Sequence, residues 1–77
     1  MDFKELIQNE IKSLTFVNVE FDTSLINSNL LDSINTIDLA IFIEEHANVY
    51  IPTQDINVKN FESINLIMDY LKKRKNN

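Results

Sequence analysis

The chain has 77 residues, a net charge of −5, one His, one Pro and neither Cys nor Gly. A chain this short makes one small domain with a thin stability margin. Disulfides, thiolate metal sites and multi-histidine sites are excluded, so apolar packing alone must hold the fold. Negative charge opposes nucleic-acid binding, and no apolar run approaches the roughly 20 residues that span a bilayer.

The start, Met1-Asp2-Phe3-Lys4-Glu5, mixes charges of both signs and is unlike a signal peptide, which predicts a cytoplasmic protein. Without Gly, tight hairpin turns are scarce, and helices joined by irregular loops are favoured. Phe3, Leu6, Ile7, Ile11 and Leu14 recur at helical spacing and predict a first helix over 2–14. Residues 15–32 read as a long connection. Phe16, Val17, Val19 and Phe21 alternate loosely within it, but no second strand with a turn signal follows. A strap with these apolar residues pointing inward is expected, since long loops in small domains have a job or are anchored.

Asp32 and Ser33 are suitable caps for a second helix over 33–47, and Asn48 suits a left-handed residue that ends it. Pro52 marks a turn. A short third helix is predicted over 58–62 around Phe61. Ser63 then caps a last helix over 64–73, with Ile64, Ile67, Met68 and Leu71 inward. The expected fold is all-α: a single domain over 1–77, a four-helix bundle with a short third helix and a long first loop. Residues 1–71 hold twelve acids and three bases, and Lys72, Lys73, Arg74 and Lys75 follow. Cations there complement a helix C-terminus and are expected to stay solvated.

The second helix is apolar on two sides. At about 100° per residue, Leu39, Ala40, Ile43 and Ala47 gather on a broad core face. Ile34, Asp38, Ile41 and Glu45 all fall within about 40° of the Ile34 direction on the opposite side, with Glu44 at the edge. Two readings stay open. The isoleucines can touch the strap or a neighbouring helix. Alternatively, the stripe is exposed and docks partners, its carboxylates steering basic surfaces while Ile34 and Ile41 fill small pockets.

Ser33 stands at the top of this stripe. An Asp-Ser pair before a helix is commonly no more than a cap. Yet a helix N-terminus offers free N–H groups and a positive dipole end, which suit a phosphate. A phosphodiester on Ser33 would sit in a favourable field, beside any partner gripping the stripe.

Asn29-Leu30-Leu31-Asp32-Ser33-Ile34 resembles the attachment motif of acyl and peptidyl carrier proteins. The resemblance continues in order through Ile37-Asp38-Leu39, Ile43-Glu44-Glu45-His46, Tyr50-Ile51-Pro52, Asn60-Phe61 and Ser63-Ile64, and so covers nearly the whole chain. It implies a four-helix bundle of the acyl-carrier type. It also implies a covalent 4′-phosphopantetheine arm on Ser33, transferred from coenzyme A by a phosphopantetheinyl transferase with Mg²⁺. Asp32 would match the acid that helps place that metal. Ile34, Asp38, Ile41, Glu44 and Glu45 would match partner-facing residues.

By the same resemblance the chain is a monomeric, non-catalytic carrier that holds an acyl or aminoacyl thioester. An adenylating ligase or acyltransferase would load it, and downstream acyl-processing enzymes would unload it. Fatty acid, polyketide or nonribosomal peptide biosynthesis and D-alanylation are all open. Two departures stand out. Asn29 replaces the family's usual Gly, and Leu30-Leu31 resembles stand-alone carriers that serve adenylating ligases, D-alanyl carriers among them.

Other chemistries fit poorly. Ser33 and His46 lie thirteen residues apart on one helix, about 20 Å, against a hydrogen-bond reach near 3 Å. No Gly-rich phosphate loop exists. Asp2, Asp22, Asp55 and Glu62 form no calcium-loop pattern and read as caps or solvated acids. The remaining alternative is a small helical interaction domain that is never modified, in which Ser33 only caps the helix.

Overall fold

In a computed structural model, which describes residues 2–75, four α-helices and one 3₁₀ turn account for the regular structure. No strand occurs among the described residues, so the loose alternation after the first helix does not produce one.

Helix α1 spans Phe3–Thr15, and the Asp2 side chain caps it by accepting the Lys4 N–H at 3.2 Å. Ile7 and Ile11 are fully buried, with Phe3 and Leu14 packed at the margin. The helix ends where Phe16 turns left-handed at φ 62°, its N–H donating to the Lys12 carbonyl at 2.7 Å. That position usually falls to Gly, which this chain lacks. The turn throws the Phe16 side chain outward, leaving it 89% exposed.

The long connection therefore departs from expectation. Phe16 and Val17 are not inward anchors; both face solvent, because the left-handed residue reverses the direction set by α1. Val19, Leu25 and Leu31 are the buried anchors, and Phe21 is half-buried beneath the Lys4 ammonium. Polar stitches complete the strap. Gln8 Nε2 donates to the Val19 carbonyl at 2.6 Å, and the Asn65 N–H donates to the Phe21 carbonyl at 3.0 Å.

Helix α2 spans Ser33–Ala47 and stops at Asn48, which is left-handed at φ 56°, ψ 47°. Leu39, Ala40 and Ile43 form its buried face, as the angular placement predicts. A 3₁₀ turn at Thr53–Asp55, not anticipated beyond the Pro52 turn, leads to helix α3 at Val58–Phe61. Phe61 is fully buried. Ser63 Oγ accepts the Leu66 N–H at 3.1 Å and so caps helix α4, Ile64–Lys75.

Three side chains read as solvated or left unassigned have internal duties. Tyr70 is buried and its hydroxyl donates to Asp55 Oδ2 at 2.6 Å. Arg74 is half-buried and donates to the Tyr50 carbonyl at 2.9 Å, so it leaves the solvated basic group. Glu62 ties down the long connection. Its Oε1 accepts the Ile26 and Asn27 N–H groups at 2.9 and 3.0 Å, and its Oε2 accepts the Ser24 hydroxyl.

Helix α1 packs on both α2 and α4, and α3 leans on α4. Phe3, Ala47 and Leu71 line one cleft, so the start of α1 meets the end of α2 alongside α4. Ser33, at the opposite end of α2, lies about 20 Å along that helix from Ala47.

Candidate functional site

The site begins with how α2 starts. Asp32 is extended, at φ −84° and ψ −177°, and its Oδ1 accepts the Asn35 N–H at 2.7 Å. Its carbonyl accepts the Thr36 N–H at 2.9 Å and the Thr36 hydroxyl at 2.7 Å. Thr36 is buried, which fixes this first turn against the body of the protein. Capping therefore belongs to Asp32 alone. Ser33, the first helical residue, is exposed, and its hydroxyl has no hydrogen-bond partner among the described residues. A free hydroxyl stands at the positive end of a 15-residue helix, where an anion is favoured.

The approach to Ser33 is a tight loop. Asn29 takes φ 66°, its N–H donates to the Ile26 carbonyl at 2.9 Å, and the Leu31 N–H donates to the Leu25 carbonyl at 2.8 Å. Asn tolerates the left-handed region better than other residues with a Cβ, so the turn survives without Gly.

Beside Ser33 runs an open groove of about 620 Å³, walled by Ile26, Leu31, Ile37, Ile56 and Val58 among others. Its walls come from the long loop, α2 and the α3 region, so the site sits where three segments converge. Ile37 and Val58 are 46% and 41% exposed, and neither was among the expected partner-facing residues. Ile37 follows Ile34 by one helical turn and could have been found by widening the stripe. Val58 is brought in by tertiary packing and left no local signal.

The stripe is open to solvent. Ile34 is 71% and Ile41 49% exposed, so neither the strap nor another helix covers them. Asp38 and Glu45 are exposed as well. Glu44 differs: it is half-buried, and its Oε2 accepts the Ile51 N–H at 2.7 Å. Four of the five expected surface residues thus share an unobstructed face, and the fifth is engaged within the fold.

His46 lies near the far end of α2, stacked on Phe42 at 4.1 Å with Nδ1 2.9 Å from the Phe42 carbonyl. It is about 20 Å along the helix from Ser33 and forms no couple with it. No group of three or more His, Cys, Asp or Glu among the described residues is placed to hold a metal ion. No helix among them is long and apolar enough to cross a membrane.

Among the described residues, Tyr70 and Glu62 titrate away from their ordinary values, and neither lies at Ser33. Burial, and then the hydrogen bond to Asp55, push the Tyr70 phenol up to about 12. The Ser24 hydroxyl, followed by the Asn27 N–H, holds the Glu62 carboxyl below its ordinary range.

No protein-family model matches the chain. Two curated proteins do. Each is called D-alanyl carrier protein, from Streptococcus suis strains 98HAH33 and 05ZYH33, and each is 30% identical over 70 residues. The aligned part covers 88% of this chain and 89% of each relative. An all-helical body that agrees with a likeness running nearly end to end leads to one assignment: the chain belongs to the acyl carrier protein family.

Proposed function

We propose that Ser33 is esterified by a 4′-phosphopantetheine arm and that the protein presents a small aminoacyl group on it to partner enzymes. The observation that supports this most is the Ser33 hydroxyl itself, exposed and without a partner among the described residues, at the start of α2. The residues present fit the group. The helix start favours the phosphate, and the groove beside it offers an apolar bed for the arm. When bound, the arm supplies the thiol for a thioester, which no side chain of this Cys-free protein can supply.

The chain's own residues divide the remaining work. Asp32 Oδ1 holds the helix start, and its other oxygen is the one available for placing the transferase's Mg²⁺. Asp38 and Glu45 steer basic surfaces toward the stripe, and Ile34 and Ile41 fill apolar pockets on the partner. The protein is a substrate of its partners and performs no catalysis. It works as a single monomeric domain in the cytoplasm. The names of the two relatives, with the Leu30-Leu31 before Asp32, favour D-alanyl as the cargo and an adenylating ligase as the loading enzyme.

Incubation with coenzyme A, Mg²⁺ and a broad-specificity phosphopantetheinyl transferase should raise the intact mass by one phosphopantetheinyl unit, with Ser33→Ala unchanged. No gain with several transferases would leave an unmodified interaction domain as the better reading. The holo protein should then take D-alanine from a D-alanine-adenylating ligase. Loading by a fatty-acyl ligase instead would overturn the cargo assignment.

A further inference from the structure

We propose that Glu62 is a positioning residue for the modification of Ser33, holding one wall of the adjoining groove in the shape the transferase recognises. This rests on Ser33 being the attachment site.

Residues 24–27 make four hydrogen bonds to this one residue. Its carboxylate accepts the Ser24 hydroxyl and the Ile26 and Asn27 N–H groups, and its carbonyl accepts the Leu25 N–H at 2.8 Å. The consequence reaches Ser33 in two short steps. The Ile26 carbonyl accepts the Asn29 N–H at 2.9 Å, which sets the left-handed turn. The Leu25 carbonyl accepts the Leu31 N–H at 2.8 Å, and Leu31 is followed directly by Asp32 and Ser33. Ile26 and Leu31 line the same groove as Ser33.

Burial of Leu25 fixes where the middle of the loop enters the core, but not how the backbone around it is turned. The two N–H groups converging on Glu62 Oε1 supply that orientation. A charged acceptor makes such bonds about twice as strong as neutral ones. The depressed Glu62 carboxyl agrees with an anion held by these donors.

The test uses the full chain in its apo form, with Glu62→Ala, Glu62→Gln and Ser24→Ala. Gln can keep Oε1 for both N–H groups, while its amide N–H donates to the Ser24 oxygen, so it should act as the conservative rescue. In Glu62→Ala, amide exchange at Ile26 and Asn27 should accelerate by about tenfold or more. The transferase KM for the carrier should rise by roughly three- to tenfold, with kcat within about twofold. Gln should restore KM to within about twofold of wild type. If Glu62→Ala fails to fold, Ser24→Ala should still raise KM by about threefold or more.

An unchanged KM in the folded Glu62→Ala protein, with its amides released, would overturn the proposal and leave Ser33 untouched. So would an unchanged KM in Ser24→Ala when Glu62→Ala cannot be studied. Wild-type protein that accepts no arm would overturn both assignments, while amide exchange would still report the clasp.

Discussion

The Glu44 carboxylate accepts the Ile51 N–H at 2.7 Å, whereas Glu45 beside it projects into solvent. Two consecutive acids thus do different work. One folds the chain after α2 back onto the helix, and the other adds to the field in front of the exposed isoleucines.

This difference is measurable. Asp38→Lys and Glu45→Lys should slow partner loading, most at low salt where steering is strong, with helical content unchanged by circular dichroism. Glu44→Ala should instead lower stability by about 1–3 kcal/mol, since it leaves the part-buried Ile51 N–H without its acceptor. Loading kinetics identical to wild type in both Lys variants would remove the steering role. An unchanged melting temperature in Glu44→Ala would show that water replaces the carboxylate at no cost.

Ile43 is fully buried on the core face of α2, and Ile43→Ala should cost roughly 2–5 kcal/mol. Small domains hold only about 5–15 kcal/mol in total, so denaturant titration should show a large fall in midpoint. Ile41→Ala, on the open face, should stay within about 0.5 kcal/mol of wild type. Similar losses for the two would show that the faces are wrongly assigned.

Among the described residues, Phe16, Asn29 and Asn48 take positive φ. A left-handed conformation costs a residue with a Cβ about 1–2 kcal/mol, less for Asn, and Gly gives back part of any gain as unfolded-state entropy. Phe16→Gly should therefore stabilise by about 0.5–1 kcal/mol, with a smaller gain for Asn29→Gly. Phe16 buries almost nothing that the change would lose. A lower melting temperature in Phe16→Gly would reveal packing by that ring.

The two displaced titrations bracket stability against pH. Glu62 is depressed on folding, so its contribution is full above its ordinary value of 4.5 and is lost as pH falls through the folded value. The stability gap between wild type and Glu62→Gln should then shrink below about pH 4.5. Tyr70 is raised from 10.0 to about 12, so its contribution is full below pH 10.0 and disappears as pH climbs toward 12. Tyr70→Phe should lack that alkaline loss. Thermal melts from pH 3 to 11 would show both effects; parallel curves for variant and wild type would negate the assignment concerned.

Periodicity made the helices and their buried faces legible. Ile7 and Ile11 on α1, Leu39 and Ile43 on α2, and Ile64 and Ile67 on α4 repeat at the helical spacing, and the caps Asp2, Asp32 and Ser63 lie beside them. The exposed Ser33 and the α2 stripe were legible for the same reason, since one helix fixes their relative angles. Interactions between distant segments were not. Glu62 meets Ser24 and Ile26, Tyr70 meets Asp55, and Arg74 meets Tyr50 across the fold, and no local pattern announces such a meeting. Phe16 was misplaced because alternation was read through a left-handed residue, which breaks the phase that alternation assumes.

The cap of α2 rests on Asp32 and leaves its neighbour idle. Esterifying Ser33 would therefore break no bond that starts the helix, and bare and laden molecules would share one backbone. Enzymes that must distinguish them would have to read the attached chemistry, because the scaffold keeps no record of whether anything hangs from it.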